Sequence, residues 1–117
     1  DYTPPSRFVR ATYLKYFSNK PNNSAEAIQL VDHLLNNVDI PVGVARSTDG
    51  KQVVSDYTQW VTLKDLKNNK MKIANYASRT NFIEIDLNQM FKSGKTKSWL
   101  VDKLPYPQND LTAELLK

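Results

Sequence analysis

The sequence contains no cysteine, which removes disulfides, cysteine-held metals and a thiol nucleophile from anything these 117 residues do by themselves. Histidine is nearly absent too. The single His33 has no second histidine or carboxylate at ligand spacing, so it reads as a surface or hydrogen-bonded residue and is assigned no metal and no acid–base role. Only three glycines are present, which argues against a flexible linker or a repeat protein. No apolar run approaches the length of a membrane span, and the polar start with its paired prolines has none of the character of a signal peptide. Nor is there a strong excess of one charge. Sixteen basic residues stand against twelve acidic ones, for a net +4. They are interspersed, with Lys67, Lys70, Lys72 and Lys92, Lys95, Lys97 the nearest thing to clusters. Neither group lies on a reading helix or beside a stacking platform, so nucleic acid is not the expected partner.

What remains is an ordinary globular composition, 40% hydrophobic and 24% charged. A chain of this length suffices for one domain without guaranteeing a self-sufficient core.

One stretch carries a chemical signature, Asp1-Tyr-Thr-Pro-Pro-Ser-Arg-Phe-Val-Arg-Ala-Thr-Tyr-Leu-Lys-Tyr-Phe17. Pro4 and Pro5 lead a helix in, Ser6 is placed to cap it, and the helix is expected from Arg7 to Phe17. Helical spacing puts Val9, Tyr13, Tyr16 and Phe17 on one face and Arg7, Arg10 and Leu14 on another. A cation in the first turn, as at Arg7, is disfavoured by the helix dipole. It is therefore either a solvated side chain or one kept for a reason other than helix stability.

The turn formers Ser18 to Ser24 predict a loop, and Asn23 with Glu26 has capping-box spacing that starts a second helix over 24–37. Its stripe of Ala27, Val31, Leu34, Leu35 and Val38, widened by Ile28 and Leu30, marks a packing element. Beyond Pro41 the pattern turns to strands. A short one is expected over 44–46, followed by an Asp49-Gly50 turn whose connection, with Lys51 and Gln52, reads as longer than a tight hairpin. Alternation from Tyr57 to Leu66 predicts a central strand, with further strands over 71–77 and 82–87 completing a three-stranded antiparallel meander. Trp99 to Val101 suggests a last short strand. Asn109 or Asp110 could cap a final helix through Leu116, docked by Leu111, Leu115 and Leu116. The fold class is α+β, two helices followed by the meander.

Three weaker patterns do not survive inspection. Glu84 and Asp86 point the same way on a strand, but no second pair or cleft accompanies them, and they read as solvated or hydrogen-bonded edge residues. Gly94-Lys-Thr96 matches only the tail of a phosphate-binding loop, since Gln89 stands where the required earlier glycine would be. Asn22-Asn-Ser24 fits a glycosylation sequon, a three-residue match that is common by chance.

The run from Asp1 to Tyr13 resembles a signature of the choloylglycine hydrolase family, the bile salt hydrolases and penicillin V acylases. The likeness continues through His33-Leu-Leu-Asn-Asn-Val38, Pro41-Val-Gly43, Asp56-Tyr-Thr-Gln-Trp60 and the strand pair ending at Asp86-Leu87. The resemblance implies membership of the N-terminal-nucleophile superfamily, whose fold is an αββα sandwich. It implies hydrolysis of a linear, non-peptide amide by an N-terminal cysteine whose own α-amino group is the base, without any cofactor. By position in the motif Arg7 matches the family's active-site arginine near the nucleophile. Arg10 matches a second basic position of structural support. Trp60 and the aromatics of the first helix are local candidates for lining a hydrophobic substrate pocket.

The nucleophile is what this chain does not have. Asp1 is no substitute, because a carboxylate is a far poorer acyl-transfer nucleophile than a thiolate. The family's remaining site residues, an arginine, an aspartate and asparagines, come from sequence upstream of the motif. The expectation is that residues 1–117 form one segment, the C-terminal part of a larger hydrolase domain, inactive alone. Its partners would be the rest of its own enzyme and a small-molecule amide, with a homo-oligomer as the implied assembly and the bacterial cytoplasm or periplasm as the implied location. The competing reading is a non-catalytic domain that binds through a sheet edge or a basic surface.

Overall fold

The computed structural model describes residues 1–117, which divide into two compact units, Asp1–Gln59 and Trp60–Lys117. Between them they contain four helices and two antiparallel sheets, the α+β class expected from the sequence. No helix is long and apolar enough to cross a membrane.

The first unit opens with α1, Pro4–Phe17. It begins three residues earlier than expected. The cap position is Thr3 rather than Ser6, and Pro4 and Pro5 form the first two helical positions. This costs nothing, because the amide hydrogens that proline lacks have no helical acceptor in the first turn. The Thr3 hydroxyl caps no backbone amide; it donates to the Asp1 carboxylate at 2.7 Å and lies 3.2 Å from the Ser6 hydroxyl. At the other end both the Ser18 amide and its hydroxyl donate to the Leu14 carbonyl, at 3.0 and 2.6 Å, which closes the last turn.

The second helix, α2, spans Ser24–Asn36 and starts as the capping box predicts. The Asn23 carboxamide accepts from the Glu26 amide at 2.9 Å. In return the Glu26 carboxylate accepts from the Asn22 amide at 2.8 Å, one residue further out than the standard reciprocal bond. At its end the Asn37 side chain donates to the His33 carbonyl at 2.8 Å. The chain then buries Val38 and Ile40, the core of this unit. The Ile40 amide donates to the Thr58 hydroxyl at 2.9 Å, and the Thr58 amide donates to the Ile40 carbonyl at 3.0 Å. This reciprocal pair closes a loop from which a hairpin projects.

That hairpin is tighter and longer than the sequence suggests. Strands β1, Ala45–Asp49, and β2, Gln52–Asp56, pair antiparallel with Asp49 opposite Gln52, so Gly50 and Lys51 alone make the turn. Gly50 takes φ +61° while Lys51 stays negative, the backbone sense of a two-residue turn with glycine in its first central position. Most of the hairpin's side chains are exposed. Its strands therefore lack the clean apolar alternation that marks a half-buried strand, and β2 left no sequence signal.

In the second unit β3, Trp60–Asp65, β4, Lys70–Asn75, and β5, Ile83–Asp86, form the expected meander in the order β3-β4-β5. The alternating strand β3 is at an edge, not the centre. The central strand is β4, which buries Ile73, Ala74 and Asn75. Val61 and Leu63 face the core as their alternation requires, Leu63 at only 2% exposure. The turn after β3 is held by the Asp65 carboxylate, which accepts from the Asn68 amide and side chain, and by Asn69 at φ +52°, a left-handed conformation that asparagine tolerates.

The third strand ends at Asp86, which pairs with Lys70 and also caps α3, Leu87–Lys92, its carboxylate accepting from the Gln89 amide at 3.1 Å. Leu87, expected in the strand, instead opens this helix, for which the sequence carries no expectation. Trp99 and Leu100 form no strand, and Val101–Lys103 is a single 3₁₀ turn. The last helix, α4, is one turn long, Thr112–Leu115. Asp110 does order its start, through bonds from the Thr112 amide and hydroxyl at 2.9 and 2.6 Å. Its leucines do not dock: Leu115 and Leu116 are each 81% exposed.

Candidate functional site

Two arginines one turn apart on α1 reach the end of α2. Arg7 Nε donates to the Val38 carbonyl at 3.0 Å, and Arg10 Nη1 donates to the Asn37 carbonyl at 2.8 Å. Arg10 Nη2 also donates to the Asp1 carbonyl at 3.1 Å, tying the first residue to the same junction. The electrostatics favour this. Carbonyls at a helix C-terminus carry the negative end of the helix dipole and have no helical donors left, so fixed cations satisfy them. Arg7, a poor fit to the dipole of its own helix, is thus matched to that of its neighbour.

The bonds use different parts of the two guanidinium groups. Arg10 commits both Nη groups, each to a separate carbonyl. Arg7 commits Nε and keeps its Nη edge, the flat pair of donors that matches a carboxylate or carbonyl oxygen.

The opposite face of α1 is bare and apolar. Phe8 and Tyr16 are 72% and 81% exposed, and Val9, Tyr13 and Phe17 are each more than half exposed. Tyr13 and Phe17 meet tilted, at 4.6 Å between ring centroids, and Tyr16 meets Phe17 edge-on at 5.1 Å. Together with Thr12 these side chains line an open groove of about 340 Å³. A second hollow of about 440 Å³ lies beside it, bounded by Pro5, Ser6, Val9, Arg10 and Tyr13. The structure keeps these two sets of side chains on separate faces, as the helical spacing predicts. The arginine face packs inward with Leu14, and the aromatic face looks out.

Trp60 belongs to the second unit, at the start of the edge strand β3 and opposite Asn75, and is 53% exposed. It is an accessible aromatic surface and not a core residue.

The remaining candidates are occupied structurally. Glu84 pairs with Lys70 across β4 and β5 at 3.1 Å, and Asp86 caps α3, so the two carboxylates have separate employment. Gly94 follows the end of α3, its amide donating back to the Phe91 carbonyl at 3.2 Å. Gly94-Lys-Thr96 therefore stands at the carbonyl end of a helix, opposite in polarity to a phosphate cradle. His33 is exposed on α2.

Three side chains titrate away from their ordinary values, each for a local reason. The Asp65 carboxyl is lowered by the bond from the Asn68 side chain, then by the bond from its amide. That of Asp110 is lowered in the same way by the Thr112 hydroxyl and amide. Burial raises the Tyr106 phenol, with a smaller contribution from the negative charge of Asp102.

Sequence reasoning found Arg7 and Arg10 but not what they hold. The acceptors are the backbone carbonyls of Asn37 and Val38, and a backbone carbonyl has no residue-type signature.

Known proteins share this arrangement of sequence. An uncharacterised protein of Paramecium bursaria Chlorella virus 1 is 32% identical over 79 residues, covering 65% of this chain and 28% of that protein. A bile salt hydrolase/transferase of Clostridium perfringens is 35% identical over 66 residues, covering 55% of this chain and 20% of that protein. The chain thus spans less than a third of the length of either relative. The model of the linear amide C–N hydrolases matches residues 1–96, which takes in α1 with both arginines, α2, both sheets and α3. The chain belongs to the choloylglycine hydrolase family of linear amide C–N hydrolases.

Proposed function

We propose that residues 1–117 are the C-terminal part of an enzyme that hydrolyses a linear, non-peptide amide. The observation that carries this is Arg7, a motif arginine anchored through Nε to Val38 with its Nη edge uncommitted. Such a side chain has a fixed position, a permanent charge and two donors to spend.

In the complete enzyme the nucleophile would be an N-terminal cysteine outside this chain. Its α-amino group titrates near neutrality, at about 7.7–8.0, and can accept the thiol proton. The thiolate attacks the amide carbonyl, and the C–N bond breaks as that proton passes to the departing amine. Water then attacks the thioester, releasing the carboxylic acid and restoring the thiol. Arg7 beside the sulfur would favour thiolate and hold neighbouring polar groups. The exposed aromatics of α1, and Trp60, offer apolar surface suited to a hydrophobic acyl group. A conjugated bile acid fits this chemistry, as do penicillin V and other N-acyl amines.

The test is turnover of glycine-conjugated bile acid and of penicillin V by the complete enzyme and its Arg7→Ala variant. Loss of at least about a hundredfold in kcat with an unchanged fold is expected, the scale of removing one preorganised charged donor. Near-normal turnover would refute the assignment. Arg7→Lys separates charge from fork geometry. Intact mass and N-terminal sequencing of the natural product decide the larger claim: a much heavier chain beginning with Cys supports it, and a species beginning at Asp1 with the mass of this chain counts against it.

The unpaired outer edge of β3 favours one other reading, a binding domain that adds a strand from a partner. A natural product of this chain's own mass, with no companion chain, is the outcome that would favour it.

A further inference from the structure

We infer that Arg10 is a positioning residue for Arg7, acting through the carbonyl end of α2. Its catalytic meaning rests on the amide hydrolase reading; its structural content does not.

The premise is how little else holds α1. The helix has no buried residue, and its large apolar side chains Phe8, Val9, Tyr13, Tyr16 and Phe17 point away from its own unit. Only half-buried Ser6, Ala11, Leu14 and Ser18 accompany the two arginines on the inner face. Its specific long-range bonds are Arg7 to Val38 and Arg10 to Asn37, and Arg10 also reaches back to Asp1. The helix is therefore aimed by two polar clamps and not by a jigsaw of core side chains.

The clamps are coupled. Asn37 and Val38 are consecutive, so their carbonyls move as one piece, and that piece is rigid. The Asn37 amide donates to Leu34 and Leu35 carbonyls, its side chain donates to His33, and Val38 is buried. Arg10 fastens α1 to this piece at one point and binds the leading residue Asp1 to it with its other Nη. With that point fixed, Arg7 one turn earlier meets Val38 through Nε. Two orientations of a guanidinium can grip an oxyanion pair, side-on through Nε and one Nη or end-on through both Nη groups. The Val38 bond blocks the first, so Arg7 can present only its end. Removing Arg10 frees α1 to roll, breaks the Nε bond and returns Arg7 to a mixture of both orientations.

The two side chains provide the measurement, because they use opposite atoms. Arginine Nε–H signals are recorded by nitrogen-15 NMR on this full chain. Arg7 Nε–H should be protected from solvent exchange, whereas Arg10, bonded only through its Nη groups, should show a fast-exchanging Nε–H. In Arg10→Met the Arg7 protection should fall about tenfold, the worth of one hydrogen bond to a charged group at 1.4 kcal/mol per decade. The backbone amides of α2 should stay protected. If Arg7 protection is unchanged while α2 is intact, the proposal is overturned. Should Arg10→Met fail to fold, Arg10→Lys decides, since one ammonium keeps the charge but cannot span both carbonyls: loss confined to Arg7 supports the role, and retention overturns it. In the complete enzyme Arg10→Met should lower kcat with little change in KM, and add nothing further in an Arg7→Ala background. Loss of the NMR protection with full activity would uphold the positioning and sink the catalytic assignment of Arg7 instead.

Discussion

Asp49 lies directly across from Gln52, and Gly50 between them is the residue that lets the chain reverse in two steps. A Cβ built on Gly50 would meet nothing within 4 Å, so its φ of +61° is the whole cost of any side chain there. Gly50→Val should destabilise by about 1–2 kcal/mol, because the first central position of such a turn is strained for any side chain and most for a β-branched one. Gly50→Asn should cost less, since asparagine is tolerated in such turns better than valine. Urea unfolding midpoints of the two variants check the ordering, and equal midpoints would show that the hairpin contributes nothing to the cooperative fold.

Two leucines at opposite extremes of burial should behave oppositely. Leu63, 2% exposed on β3, is the most enclosed large side chain, and Leu63→Ala should cost about 2–5 kcal/mol through lost burial and a residual void. Leu115→Ala, at 81% exposure on α4, should stay within about 0.5 kcal/mol. A large effect at Leu115 would mean that α4 is covered in solution.

The Tyr106 phenol donates to the Val101 carbonyl at 2.9 Å, and burial raises its pKa. A raised folded value means that its contribution to stability is full below the unfolded pKa, about 10, and is lost as pH rises through the folded value. Tyr106→Phe should therefore be less stable than the parent by about 1 kcal/mol near neutrality, the cost of the lost bond. That gap should close above pH 10, where only the parent has a phenol to ionise at this position. A gap that stays constant from pH 8 to 11 would show that the phenol is not held protonated by the fold.

The outward aromatic face of α1 makes the isolated chain prone to associate. Sedimentation should show mass rising with concentration, and a double substitution, Tyr16→Ser with Phe17→Ser, should shift the protein toward monomer. Exposed apolar side chains in this number are unusual on a monomer surface. A parent chain that is monomeric at high concentration would show that the stripe is harmless by itself.

Where the chain signals its structure locally, the sequence was enough. Asn23 and Glu26 announce the start of α2, and the alternation around Val61 and Leu63 announces β3, because capping and burial act through side chains whose types are visible. Other features depend on partners distant in sequence or on backbone atoms. The place of β3 at the sheet edge follows from pairing order, which alternation does not encode. The solvated β2 lacks a buried face to leave a periodic trace. Asp86 looked like the end of a strand because the same carboxylate that fits an exposed strand position also caps α3. At the arginine pair, residue types single out the donors, while the acceptors, the carbonyls of Asn37 and Val38, carry no residue-type signal.

All sheet pairings join neighbours along the chain, β1 with β2 and β4 with the strands on either side of it, and both units are continuous stretches of sequence. Such local topology places folding toward the fast end of the two-state range. Hairpins close in about 1–10 μs, whereas a ribosome adding roughly 5–20 residues per second needs several seconds to make the residues after Gln59. The elements of the first unit, with both arginines and the carbonyls that orient them, can thus form while the meander is still being made.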